Sequence, residues 1–238
     1  ARFQNGESVA EFVCAQILLA NKGYFMNARK YVKGFRDYFE VRKHVVTKRG
    51  NYRAKIGIIG AGAVGIQVMK KLNAVSPAME ILVYDPYADE GHILKLGGKL
   101  TSLEEVFSLC DIITNHLPNI QETVNLLDYR LFSLMKSDAV FINTGRGQQV
   151  VEEDLARALV EKPERTALLD VLRMEPIAPD HIFLELDNCF LSSHIAGANV
   201  GYDAYRMGDY MISVYKKYMA GGVHDPSLVT LEMLEHMA

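Results

Sequence analysis

The sequence predicts a doubly wound α/β domain, a parallel sheet with helices on both faces, and three observations carry that reading. Short apolar runs rich in Ile, Val and Leu alternate with stretches of helical spacing from about residue 54 to residue 192. The runs are apolar on both faces, as strands covered by helices on each side must be. The first run ends in Gly60-Ala-Gly62-Ala-Val-Gly65, a tight turn that opens directly into a helical pattern. With 238 residues the chain can bury one core plus an appendage.

The elements follow in order. Ser8 and Glu11 form a capping-box pattern that predicts a helix start, with Val9, Phe12, Val13, Ile17 and Leu18 at helical spacing behind it. From about Tyr31 to Arg53 the chain loses periodicity and becomes basic and aromatic, which predicts a connecting arm. "AKIGIIG" reads as a strand, "AVGIQVMKKL" as a helix and "EILVYD" as a second strand. "SLEEVFSLC" is a helix capped by Thr101 or Ser102, and "DIITNHL" is a third strand. "ETVNLLDYRLFSLM" has helical spacing, "AVFINTG" is a strand, and "EEDLARALV" is a helix. "TALLDV" and "CFLSS" are the last strands, and a final helix runs from about Asn199 to Met219 before "GGVHDP" breaks it. The predicted division is an N-terminal helix and arm over residues 1–50, a dinucleotide-binding domain over 51–198, and a C-terminal interdomain helix with a remnant of a second domain over 199–238.

Composition narrows the function classes. Hydrophobic residues make up 49% and charged residues 23% of the chain, the profile of an ordinary globular protein. A net charge of −3 argues against a nucleic-acid surface, and the basic residues of the first fifty read as a solvated face or an oligomer contact. Cys14, Cys110 and Cys189 are far apart in apolar runs and read as buried thiols, neither a disulfide frame nor a metal site. No apolar run is long enough to span a membrane and nothing resembles a signal peptide, so the expected location is the cytoplasm.

The glycine turn is the first functional signal. A G-x-G-x-x-G alone is weak, but this one follows a strand, opens a helix, and is followed by Asp85 at the end of the next strand, about 20 residues after Gly65. In that setting Gly60 permits the turn, Gly62 lets the backbone reach a pyrophosphate, and Gly65 lets the helix pack on the strand. The amides near Ala63 and Val64 then face the phosphates at the positive end of the helix. Asp85 can accept from ribose hydroxyls, and its charge opposes the extra phosphate of NADP. The expected fold is Rossmann-like and the expected cofactor is NAD.

Three polar residues stand past the ends of later strands, where open parallel sheets hold ligands. Arg146 lies between two glycines in "TGRG", and its guanidinium fork suits a small carboxylate. Glu175 follows "TALLDV", and His194 follows "CFLSS". A carboxylate beside a histidine stabilises the imidazolium, which suits a general acid/base.

Together, "NGESVAEF", "GIIGAGAVG", "VYDPY", "NHLPNIQET", "INTGRG", "LDVLRMEP" and "SSHIAG" resemble the D-isomer-specific 2-hydroxyacid dehydrogenases over nearly the whole chain. The resemblance implies that Arg146 holds the substrate carboxylate and carbonyl, that His194 is the acid/base, and that Glu175 is its partner. It also implies that Asp170 and the backbone around Thr144 and Gly145 line the nicotinamide and its ribose, that Ala196 and Gly197 are further cofactor-binding positions, and that His116, Leu117 and Pro118 flank the adenosine side. The formate dehydrogenase branch carries glutamine where this chain has Glu175, so the resemblance favours a 2-hydroxy or 2-oxo acid as substrate. Two departures, "SSHIAG" for a threonine-proline version and "TGRG" for an alanine- or serine-containing one, leave the three catalytic candidates in place.

Family members carry a further domain before the segment matching Asn5–Glu11. The expectation is therefore a nucleotide-binding portion of a larger homodimeric enzyme, which binds NAD(H) but turns over little on its own. Apolar positions after Gly221 (Leu228, Val229, Leu231, Met233, Leu234, Met237) are expected to meet the absent domain. The competing expectation is a dinucleotide-sensing regulatory protein on the same scaffold, as in the corepressor branch of the family.

Overall fold

The computed structural model describes residues 2–46, 48, 50–197 and 201–221. Helix α1 (Arg2–Ala20) leads into α2 (Tyr24–Val32) and α3 (Tyr38–Val46). The alternating part then runs β1 (Lys55–Ile59), α4 (Ala63–Val75), β2 (Glu80–Tyr84), α5 (Glu90–Lys95), β3 (Gly98–Leu100), α6 (Leu103–Leu109) and β4 (Ile112–Asn115). It continues through α7 (Tyr129–Leu134), β5 (Val140–Asn143), α8 (Glu152–Glu161), β6 (Thr166–Leu169), α9 (Ile182–Glu185) and β7 (Cys189–Leu191), and α10 (Gly201–Met219) closes it.

The seven strands form one sheet in the order β3-β2-β1-β4-β5-β6-β7, and every pairing is parallel. The order reverses between β1 and β4, which puts a crevice at their carboxyl ends. Residues of the strands alternate between two cores because successive side chains point to opposite faces. Ile56, Ile58, Ile81, Val83, Ile112, Val140 and Ile142 pack with α1 and α4 through Val13, Ile17, Val68, Met69 and Leu72. Ile59, Ile113, Phe141 and Leu169 face α6, α7 and α8, where the rings of Phe107, Phe132 and Phe141 meet at centroid distances of 5.2 to 6.3 Å. A strand buried on both faces has no polar side to show, which is why its sequence reads as a continuous apolar run.

The doubly wound fold is as expected, and four local expectations need correction. Ser8 does not cap a helix: it lies inside α1 (Arg2–Ala20), and its buried hydroxyl accepts from Nη2 of Arg206 on α10 at 2.9 Å. The segment from Tyr31 to Arg53, expected to lack periodicity, takes in the end of α2 and the whole of α3. Helix α2 is held across the outer strand β7 by Arg29, which donates to the Cys189 carbonyl at 3.0 Å and stacks on Phe190. "ETVNLLDYRLFSLM" is α-helical only toward its end: it starts in a 3-10 turn (Gln121–Thr123), Asn125 takes φ +56°, and the Asn125 and Leu127 amides donate to the carbonyls of Gln148 and Gln149. The short pair α5 and β3 was not anticipated. Ser102, by contrast, is the cap of α6, with Glu105 returning the bond to its amide. The expected start of the last helix at Asn199 and the apolar positions after Gly221 lie outside the described residues.

The three thiols are free and buried, as the sequence suggested, and burial pushes each of them up to about 12. No helix among the described residues is long and apolar enough to cross a membrane.

Candidate active site

Strand β1 turns into α4 through backbone that only glycine fits. Gly60 has φ +91°, and a Cβ there would lie 2.8 Å from the His116 carbonyl oxygen. A Cβ on Gly65 would lie 2.1 Å from the Gly60 carbonyl oxygen, so the helix can start only if that residue has no side chain. Gly62 is different: nothing lies within 4 Å of the position of its absent Cβ. It is the N-cap of α4, so the open space stands directly before the amides of the first helical turn.

Asp85 follows β2 and points back into this turn. Its Oδ2 accepts from the Ala61 amide at 2.8 Å and its Oδ1 from the Tyr87 amide at 2.9 Å. The carboxylate is thereby fixed at the rim of the turn, with lone pairs left for a diol.

A cleft of about 780 Å³ runs from this turn across the ends of β1, β4, β5 and β6. Every site residue named from the sequence lines it except Gly65, which packs behind the turn, and Glu175, which stands behind His194. The wall past β4 and β5 is set by His116. Its ring lies between two hydroxyls, with Nε2 3.0 Å from Thr114 Oγ1 and Nδ1 3.2 Å from Thr144 Oγ1. Burial pushes the ring down to about 3, so it is neutral at physiological pH and one of the two hydroxyls must donate to it.

His194 and Glu175 form a pair. Nδ1 of His194 lies 2.8 Å from Oε2 of Glu175, while Oε1 of Glu175 accepts from the Leu172 amide at 3.0 Å. Partial burial pushes the Glu175 carboxyl up, but it is outweighed by the bonds from His194 and Leu172 and by the charges of His194 and Arg146. The net result is a carboxyl held below its ordinary range. With Nδ1 taken by the carboxylate, Nε2 is the nitrogen on the far side of the ring.

The histidine is held in an unusual conformation. Its φ is +57°, a region β-carbon sterics disfavour. Asp170, buried at the end of β6, holds it there. The Asp170 carbonyl accepts from the His194 amide at 2.9 Å. Its Oδ1 accepts from the Ile195 amide at 3.0 Å and the Ser192 hydroxyl at 2.5 Å, and its Oδ2 from the Ala196 amide at 2.9 Å. The sequence reading placed Asp170 beside the cofactor and missed this second task, which no spacing rule could reveal.

Arg146 lies exposed past β5, in the same cleft as His194, with Nη1 donating to the Gly145 carbonyl at 2.7 Å. Behind it is a layer that the sequence did not announce. Asn115, Asn143 and Gln149 are buried together, and Asn115 Nδ2 donates to Asn143 Oδ1 at 3.0 Å and to Gln149 Oε1 at 2.7 Å. These three polar residues are separated by up to 34 positions, and only the adjacency of β4 and β5 brings them together.

The site geometry suits a dinucleotide. The open approach at Gly62, the helix start behind it, and the fixed Asp85 carboxylate are the contacts that a pyrophosphate and a ribose require. Comparison with known proteins agrees. Residues 15–196 match the family model described as the D-isomer specific 2-hydroxyacid dehydrogenase, NAD binding domain. The chain is 33% identical over 215 residues to a D-3-phosphoglycerate dehydrogenase from Haemophilus influenzae, covering 85% of this chain and 50% of that one. It is 32% identical over 195 residues to a glyoxylate reductase from Korarchaeum cryptofilum, covering 81% and 57% respectively. The chain thus spans little more than half the length of these relatives. Among solved structures, the D-lactate dehydrogenase from Aquifex aeolicus, complexed with NAD and lactic acid, is 28% identical with a TM-score of 0.73, over 92% of this chain and 68% of that one. The chain belongs to the D-isomer specific 2-hydroxyacid dehydrogenase family and carries that family's NAD-binding domain.

Proposed function

We propose that this chain is the cofactor-binding and catalytic part of an NAD-dependent oxidoreductase that interconverts a small D-2-hydroxy acid and its 2-oxo acid. The observation that carries the proposal is the His194–Glu175 pair, 2.8 Å apart, beside Arg146 in the cofactor cleft.

NAD held by the Gly60–Gly65 turn and Asp85 supplies the hydride chemistry at the substrate carbon. The remaining work belongs to the chain. Arg146 binds the substrate carboxylate with its guanidinium fork and keeps the adjacent carbonyl in line. His194 holds a proton on Nε2 and gives it to the carbonyl oxygen during reduction, or takes it from the hydroxyl during oxidation. Glu175 keeps the ring oriented and stabilises its charged form, and the Leu172 amide keeps Glu175 in place. Asp170 fixes the turn from which the histidine projects. A neutral His116 with Thr114 and Thr144 completes the cofactor wall without adding charge.

The same reading includes three further inferences. Residues 51–198 act as the dinucleotide-binding unit, and residues 1–50 and 199–238 join it to a second domain. Two copies pair through the basic, aromatic segment of α2 and α3. The protein works in the cytoplasm. NADH consumption with a panel of small 2-oxo acids tests the enzymatic reading, and tight NADH binding without turnover of any of them would favour a dinucleotide sensor instead.

A further inference from the structure

Every side-chain oxygen and nitrogen of the buried amides behind Arg146 has a hydrogen-bond partner. Gln149 Oε1 accepts from Asn115 Nδ2 at 2.7 Å and from the Arg146 amide at 3.1 Å, while its Nε2 donates to the carbonyls of Leu117 and Pro118, both at 2.8 Å. Asn115 Oδ1 accepts from the Leu117 amide at 3.2 Å. Asn143 Oδ1 accepts from the Gly145 amide at 3.0 Å, and its Nδ2 donates to the Arg146 carbonyl at 3.3 Å. Main-chain donors and acceptors dictate which end of each amide is oxygen, so the layer has one arrangement. It grips the loop after β4 and the loop after β5 together, although no backbone ladder joins residues 116–118 to 144–146.

Gly145 shows how tightly the layer is built. A Cβ there would lie 2.7 Å from Gln149 Oε1 and 2.9 Å from Asn115 Nδ2. The glycine of "TGRG" is thus the residue that the amide layer leaves room for.

We propose that Gln149 is a positioning residue: with Asn115 and Asn143 it sets the main chain of Arg146 and the 116–118 cofactor wall as a single unit. The proposal rests on the reading of the cleft as a cofactor and substrate site. It adds that the arginine and the wall are placed by one neutral hydrogen-bonded layer, so cofactor affinity depends on a side chain that touches no ligand.

The test is calorimetric titration of this chain with NAD. Gly145→Ala and Gln149→Ala each weaken binding about tenfold. The double variant binds no more weakly than Gln149→Ala alone, because removing the glutamine takes away the nearer obstacle to the new methyl group and releases Asn115 Nδ2, the other, from its bond to Gln149 so that it can turn aside. Losses that multiply to about a hundredfold overturn the proposal. Gln149→Glu is a second probe, since it keeps the acceptor and loses both donors. Its affinity relative to wild type is low at about pH 8 and recovers toward about pH 6, as the buried carboxyl takes up a proton and donates again. A pH-independent ratio contradicts the proposal, and a purely packing role gives that result. In the ligand-free protein the Gln149 variants also speed hydrogen exchange of the Arg146 and Leu117 amides about tenfold, and unchanged exchange overturns the proposal. This last readout stands even if the wild-type chain fails to bind NAD, an outcome that would remove the reading of the cleft and leave the layer to be judged on its own.

Discussion

His194 and Asp170 are joined through both main chain and side chain: the Asp170 carbonyl holds the His194 amide at 2.9 Å, and the Asp170 carboxylate takes the next two amides, of Ile195 and Ala196. A histidine at φ +57° is kept in the cleft by a buried acid that the sequence assigns to cofactor contact. Asp170→Asn keeps one acceptor and replaces the other with a donor that faces an amide. The variant should lose about 1–3 kcal/mol of stability and more than tenfold in kcat, because the histidine turn relaxes. Urea unfolding and steady-state kinetics check both numbers. Wild-type kcat in Asp170→Asn would show that the turn holds without the carboxylate.

The pairing of Glu175 with His194 makes a second prediction. In the proposed reaction the ring must present Nε2 to the substrate oxygen, and the bond from Nδ1 to Glu175 fixes that orientation. Glu175→Ala removes the carboxylate that fixes Nδ1 of the ring, so kcat for oxo-acid reduction should fall more than about tenfold with NADH affinity retained. Steady-state rates and NADH titration check both, and a wild-type kcat in Glu175→Ala refutes the pairing.

In the proposed function Asp85 sets the choice between cofactors. Its carboxylate, held by the Ala61 and Tyr87 amides at the rim of the glycine turn, would accept from the ribose hydroxyls. NADH should bind at least about tenfold more tightly than NADPH, and Asp85→Asn should narrow that gap from the NADPH side. Fluorescence titration with both cofactors measures it. Equal affinities in the wild type contradict the role.

Acid should destabilise the fold through two groups. Burial pushes folded His116 down to about 3 from 6.5, so below about pH 6.5 the unfolded chain takes up a proton that the folded chain refuses. Its stabilising contribution is complete above 6.5 and is lost as the pH falls toward 3. Glu175, held below its ordinary 4.5, gives a contribution that is present above 4.5 and lost on further acidification. The melting temperature should therefore start to fall near pH 6.5, and His116→Asn should flatten the limb between 6.5 and 4.5. A wild-type melting temperature that stays flat over that interval contradicts the neutral, enclosed ring.

The parts that sequence made legible are those with a local rule. The Gly60–Gly65 turn and Asp85 follow from chain geometry within one β-α-β unit, and the Ser102 cap from a four-residue pattern. Misread parts had a long-range partner that overrode the local signal. Ser8 and Glu11 have the spacing of a capping box in the middle of a helix, where Ser8 answers to Arg206 198 positions away. The segment around Asn125 has helical spacing, yet its amides go to the turn after β5, and Leu127 bridges to Val150. Helix α2 lacks a buried face of its own and is anchored by Arg29 to an edge strand 160 residues on. The amide layer lay beyond sequence reasoning for the same reason: Asn115, Asn143 and Gln149 have meaning only once β4 and β5 are neighbours.

The central claim is that His194 moves a proton at a 2-oxo acid carbonyl in an NAD-dependent reaction. Its most direct test is NADH consumption across a panel of small 2-oxo acids, with the native protein and its His194→Ala variant measured side by side. The account predicts turnover of at least one 2-oxo acid by the native protein, and a loss of about 100-fold or more in the variant with NADH affinity retained. Tight NADH binding with no turnover by the native protein, or equal turnover by both, would contradict it.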